Sequence, residues 1–296
     1  MPTAILIGFE YKNDYLPGTI IDLYHCYKWC KSFNCVTKIL TDIENVNEDI
    51  LRDAIDNKLA RKDLLKFYDS ASPTIISNLT TLIAEIRNII NNIYDNRLII
   101  YYTGHGVSYD NLVLPDDTLL SMNDLKKIIL ENTLSTTEIF IVLDCCNPNG
   151  IGLPFKLNGN MFELSTTDMS ALDFIEHRIL LITSSADHQK SVATHLGSLF
   201  TRYLFQMLID MNSYDKSWIK KENIPLSVNR NLQRLTGNLI CAIRKLHTGY
   251  QQNISIYSSY IIDPILWSWL GNNNDHDVVV DYTLNNIIVR QCPTIK

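Results

Sequence analysis

Two side chains of complementary reactivity follow two similar apolar runs. Arg97-Leu98-Ile99-Ile100-Tyr101-Tyr102 ends at Thr103-Gly104-His105-Gly106, and Glu138-Ile139-Phe140-Ile141-Val142-Leu143 ends at Asp144-Cys145-Cys146-Asn147-Pro148. An imidazole is the commonest general base, and a thiol becomes a strong nucleophile once its proton is withdrawn. If the two runs are neighbouring strands of an open parallel sheet, both groups face the crevice beyond the strand carboxyl ends. That pair could carry out nucleophilic catalysis. Taken singly, each residue also reads as a turn histidine or a buried cysteine. Gly106 leaves room for a backbone N–H to approach a developing oxyanion, with the N–H of Cys146 as a second donor.

The elements that must position these groups alternate. Thr3 to Phe9 is a continuous apolar run suited to a strand buried on both faces, and Thr19 to Phe33 has helical spacing. Val36 to Leu40 reads as a strand and Asn47 to Leu59 as a helix, whereas Lys58 to Ser72 reads as a charged, turn-like surface segment. Ser77 to Tyr94 carries an isoleucine and leucine stripe, and Ser121 opens a helix running through Leu130. Val107 to Leu120 and Asn147 to Asp168 read as loops. Arg178 to Thr183 is a further strand, Gly197 to Met211 and Leu226 to Leu246 are helices, and Ile254 to Tyr260 is a strand. Strand and helix in alternation specify an α/β fold with a mostly parallel sheet and helices on both faces.

Composition narrows the partners. The chain has 296 residues, a formal net charge of -6 and no basic run, which argues against nucleic acid. No apolar run approaches the roughly 20 residues of a membrane span. Met1 to Phe9 is too short for a signal segment and lacks a basic flank. Seven cysteines, an odd number, fit a reducing, cytoplasmic setting. Cys26, Cys30 and Cys35 lack the second C-x-x-C pair of a zinc site and read as small apolar residues.

In order and spacing, Ile5-Leu6-Ile7-Gly8, Thr103-Gly104-His105-Gly106 and Asp144-Cys145-Cys146 resemble the caspase-like cysteine peptidases, metacaspases in particular. Ile182 to Asp187 and Leu199-Phe200-Thr201 extend the resemblance toward Tyr260. It implies a three-layer fold with a six-stranded sheet over 1–260, divided into a large-subunit-like part (1–150), a linker loop (151–177) and a small-subunit-like part (178–260). The remainder, 261–296, which holds Trp267 and Trp269, is expected as a hairpin-like extension.

The resemblance further implies a monomeric endopeptidase acting on polypeptides. Cys146 would be the nucleophile and His105 the base. Asp22 and Asp144, with Thr103 at the wall, would line a pocket for a basic residue. Carboxylates suit an arginine fork best. Calcium, the family's usual activator, would draw on Asp110, Asp116 and Asp117, although these also read as an exposed acidic turn. Self-cleavage would fall after Lys156. Asn147-Pro148 departs from the family's usual His-Ser, and a non-catalytic scaffold that binds peptides is the alternative.

Overall fold

A computed structural model describes residues 1–16, 18–46, 61–93, 95–107, 110–158, 161–166, 175–186, 189–194, 196–218, 235, 237, 239–240, 252–260, 280–283 and 286–289. The helix expected over Asn47 to Leu59, most of the one over Leu226 to Leu246, and Asp187, Trp267 and Trp269 lie outside these residues.

The strands are β1 (Thr3–Gly8), β2 (Val36–Thr41), β3 (Thr74–Ile75), β4 (Arg97–Thr103), β5 (Gly106–Val107), β6 (Asn111–Val113), β7 (Leu119–Ser121), β8 (Glu138–Asp144), β9 (Phe155–Asn158), β10 (Met161–Leu164), β11 (Arg178–Thr183), β12 (Ala193–Thr194), β13 (Gly197–Ser198), β14 (Ser255–Ser258), β15 (Val280–Thr283) and β16 (Asn286–Val289). The helices are α1 (Thr19–Lys31), α2 (Arg61–Ala71), α3 (Leu79–Asn91), α4 (Met122–Asn132) and α5 (Leu199–Trp218).

Among the described residues nine strands form one sheet, in the order β10-β9-β14-β11-β8-β4-β1-β2-β3. The run from β3 to β11 is parallel throughout, and β14, β9 and β10 add antiparallel strands at one side. The sheet is therefore wider than the six strands expected. β9 and β10 lie where a loop was expected at Asn147 to Asp168. Phe155 and Phe162 are buried and anchor that hairpin against the core.

Side chains alternate across the parallel strands and separate two cores. Ala4, Leu6, Tyr101, Phe140 and Ile182 face α1, α2 and α5, where Trp29, Phe67 and Phe205 meet them. Ile5, Ile7, Ile100, Tyr102 and Leu143 face α3 and α4, which supply Ile86, Ile90, Leu125 and Ile129. Helices thus flank both faces of a central sheet.

Helix starts follow local chemistry. Asn78 caps α3, accepting the Thr81 N–H at 3.0 Å, and the Ser121 hydroxyl accepts the N–H groups of Asn123 and Asp124 at the start of α4. Two further expectations fail. The 58–72 segment holds α2, because Leu64 and Phe67 recur at helical spacing and are buried despite the charges around them. The segment from Val107 to Leu120 is a three-stranded sheet of β5, β6 and β7. β15 and β16 pair antiparallel in a sheet of their own. Among the described residues no helix is long and apolar enough to cross a membrane.

Candidate active site

β4 and β8 are parallel neighbours with Thr103 opposite Asp144, so the chain leaves both strands side by side. The two turns that follow are in contact. The Gly104 N–H donates to the Asp144 carbonyl at 3.3 Å. A Cβ on Gly106 would lie 2.2 Å from the Cys146 carbonyl oxygen and 3.1 Å from the Cys145 sulfur. Only a residue without a side chain permits this approach.

His105 sits on the first turn with its imidazole partly exposed. Its Nε2 lies 2.7 Å from the Asp14 carbonyl oxygen and 3.6 Å from the exposed Asp14 carboxylate. A carbonyl can only accept, so Nε2 carries the proton and Nδ1 is left with the basic lone pair. The turn itself is fixed through its main chain. The His105 N–H donates to the Tyr11 hydroxyl at 2.8 Å, and the His105 carbonyl accepts from the Tyr102 hydroxyl at 2.8 Å and the Val113 N–H at 3.1 Å.

The adjacent cysteines have different surroundings. Cys145 is buried, and burial, followed by the nearby Asp144 carboxylate, pushes its thiol well above the ordinary value. Cys146 is half-buried. Of the two, Cys146 is the less enclosed, while Cys145 stays a protonated core side chain. The hydroxyls of Ser184 and Ser185 donate to the Cys145 carbonyl, and the Asn147 N–H donates to the Gln189 carbonyl at 2.9 Å. Asn147 adopts φ 52°, a left-handed conformation that asparagine tolerates better than most residues. Beyond it, the Lys126 ammonium donates to the Ile151 carbonyl at 2.5 Å and holds the loop from below.

Asp22 and Asp144 are buried, 3% and 4% exposed, and near enough for the charge of Asp144 to act on Asp22. Asp22 accepts the Ser198 N–H at 2.8 Å and the Thr103 hydroxyl at 3.4 Å. Asp144 accepts the hydroxyls of Ser191 at 2.8 Å and Thr201 at 2.6 Å, and Thr201 in turn meets the Tyr101 hydroxyl. Burial pushes both carboxyls up, and the nearby Asp144 adds to the effect on Asp22. The Ser198 hydroxyl is buried close to the Asp144 carboxylate. Gly197 packs against Asp22, where a Cβ would come within 2.5 Å of Oδ1.

The remaining expected residues do not join this group. Asp110 accepts the Asn149 side-chain amide, and Asp116 accepts both the N–H and the hydroxyl of Thr118 within its own turn. Asp117 occupies a left-handed turn position. A calcium ion takes six to eight oxygens. Among the described residues no group of three or more His, Cys, Asp or Glu is placed to hold a metal ion. Lys156 lies within β9, paired on one side with Glu163 of β10 and on the other with Tyr257 of β14, and its ammonium lies over the Tyr257 ring. A protease needs unpaired extended chain, so Lys156 is poorly placed for self-cleavage.

Sequence reasoning missed Tyr11, Asp14, Tyr102, Ser191 and Ser198. Asp14 acts through its carbonyl and Ser198 partly through its N–H, and no residue type signals a main-chain contact. Tyr11 lies in a polar stretch that resembles ordinary loop.

Comparison with known proteins extends these observations. The caspase domain family matches residues 1–262. Caspase-1 from Spodoptera frugiperda superimposes with a TM-score of 0.52 at 12% identity, covering 86% of this chain and 85% of that one. A protein from Geobacter sulfurreducens gives a TM-score of 0.49 at 11% identity, covering 87% of this chain and 93% of that one. No curated protein sequence matches.

Proposed function

Since this chain belongs to the caspase domain family, we propose that it is a cysteine endopeptidase of metacaspase type that cleaves after basic residues, with Cys146 as nucleophile and His105 as base. The observation that carries the reading is the direct contact between the two turns, Gly106 against the Cys146 carbonyl, at neighbouring strand ends.

Each step has a group to perform it. His105 Nδ1 accepts the Cys146 proton, and the thiolate attacks the scissile carbonyl carbon. The oxyanion that forms is met by the N–H groups of Gly106 and Cys146. The imidazolium then protonates the leaving amine, giving a thioester. Water, deprotonated by the same imidazole, releases the acid and restores the thiol. The Asp14 carbonyl holds the ring in the required tautomer throughout.

The buried carboxyls of Asp22 and Asp144, close enough to act on each other, support a cationic side chain at P1. Two carboxylates out of water raise each other's energy, and an arriving guanidinium relieves this while its N–H groups donate to them. Ser198 Oγ, buried close to Asp144, offers a further acceptor. Arginine uses its planar fork here and lysine only a point charge.

The test is hydrolysis of fluorogenic peptides that differ only at P1. The order Arg above Lys, with Asp uncleaved, is expected. Preference for Asp would remove the pocket assignment, and no cleavage of any peptide would favour a non-catalytic peptide-binding scaffold.

A further inference from the structure

We propose that Tyr11 is a positioning residue for the His105 imidazole and that Asp42 holds it in that role, an inference that rests on the peptidase reading above. Tyr11 follows β1 and is buried. Three separate contacts bind it to the histidine turn. Its hydroxyl accepts the His105 N–H at 2.8 Å. Its ring lies against the imidazole, with centroids 4.6 Å apart at 37°. The same hydroxyl donates to the Val113 carbonyl at 3.0 Å, and that residue's N–H bonds the His105 carbonyl. The loop that carries Tyr11 also supplies the Asp14 carbonyl to Nε2.

The turn is shaped around this phenol. A Cβ on Gly104 would lie 2.6 Å from the Tyr11 hydroxyl and 2.7 Å from that of Tyr102. The first glycine of Thr103-Gly104-His105-Gly106 therefore makes room for two tyrosine hydroxyls, which stand 3.1 Å apart. Burial pushes the Tyr11 phenol up, so it stays protonated and takes no part in proton transfer.

The conformation of Tyr11 is costly. Its φ of 60° lies in the left-handed region, which an aromatic side chain seldom adopts and which costs about 1–3 kcal/mol. Asp42, just past β2, offsets that cost. Its two carboxylate oxygens each accept one main-chain N–H, from Glu10 and from Tyr11, both at 2.8 Å. Strain held in place by a dedicated carboxylate beside a reactive imidazole points to a purpose beyond packing.

The test combines kinetics with a count of competent sites. Tyr11→Phe keeps the ring and removes the acceptor, Tyr11→Leu removes both, and Asp42→Asn loses one of the two N–H contacts. Titrating Cys146 with an arginine-directed acyloxymethyl ketone, which needs a formed site, gives kcat per competent site, which a loss of folded protein alone does not move. Tyr11→Phe and Asp42→Asn are expected to lower that kcat about tenfold with KM within twofold, part of the roughly 10²–10⁴ that general base catalysis supplies. Tyr11→Leu is expected to lose about tenfold more. Values within twofold of wild type for Tyr11→Phe and Asp42→Asn would overturn the inference, even if Tyr11→Leu fails to fold. Should the wild type cleave no peptide, the peptidase reading fails separately, and nitrogen-15 NMR of His105 decides on Tyr11. A wild-type ring protonated on Nε2 that becomes a tautomer mixture in Tyr11→Phe supports positioning, and an unchanged spectrum refutes it.

Discussion

Replacing Asp144 with asparagine is expected to weaken hydrolysis and stabilise the fold at the same time. Asp144 is buried, and its two oxygens accept one hydroxyl each, from Ser191 and Thr201. Ser198 and Ser184 add further donors to this carboxylate, and an arriving guanidinium fork competes with them through two parallel N–H groups. Hydrogen bonds to charged groups contribute about 1.5–3 kcal/mol each, and losing two at the lower figure corresponds to about 3 kcal/mol, roughly 10²-fold in kcat/KM. The serine and threonine hydroxyls can accept as well as donate, so the amide of the Asp144→Asn variant keeps partners. Burial raises the Asp144 carboxyl, so the native state holds its proton more tightly than the unfolded chain does. Wild-type stability therefore falls as pH rises from the ordinary carboxyl range through the raised value, and the amide avoids that loss. The variant's advantage in Tm opens across this window and closes below it. The assay compares P1 arginine with its neutral isostere citrulline in wild type and variant. An unchanged arginine-to-citrulline ratio of kcat/KM would refute the reasoning, whatever happens to Tm.

Other perturbations address the remaining parts of the site. Gly106→Ala forces a Cβ against the Cys146 carbonyl and separates the turns; kcat/KM is expected to fall at least about tenfold, with a stability loss of about 1–3 kcal/mol read by urea unfolding. Cys146→Ala is expected to abolish hydrolysis with little change in stability, whereas Cys145→Ala, which empties a core position, retains hydrolysis and costs about 1–2 kcal/mol. Glu10 is buried with one carboxyl oxygen unpartnered, and burial, then the nearby Asp42, raises it to about 7. A raised carboxyl favours the folded state at low pH, so wild type loses stability relative to Glu10→Gln as pH climbs from about 4.5 to about 7, by up to about 3 kcal/mol. Denaturant titrations across that range measure the difference, and parallel curves would contradict it.

The parts of the fold that were legible in the sequence are those where burial on two faces or on one helical stripe dictated residue type. β1, β4, β8 and β11 are apolar runs because neighbours cover both sides, and α3 shows its stripe because only one face is buried. That the turns carrying His105 and Cys146 lie side by side followed from where those runs stop. Strands of two to four residues leave no period to read, which hid β5 to β7 and the β9–β10 hairpin. In α2 the charges of Arg61, Lys62, Asp63 and Lys66 masked two buried positions, Leu64 and Phe67. Asp22 and Asp144 could be placed only by resemblance, because a buried carboxylate and a solvated one look alike in a string of letters. The Tyr11 contact depends on a left-handed turn and on a main-chain N–H, and neither leaves a mark in residue type.

Covalent capture with an arginine-directed acyloxymethyl ketone, followed by peptide mass mapping, addresses the chemistry most directly. A single adduct on Cys146 is expected, formed far more slowly in His105→Ala and suppressed in Asp144→Asn. An adduct on Cys145, or labelling of Cys146 at the same rate without the imidazole, would contradict the assignment of nucleophile and base.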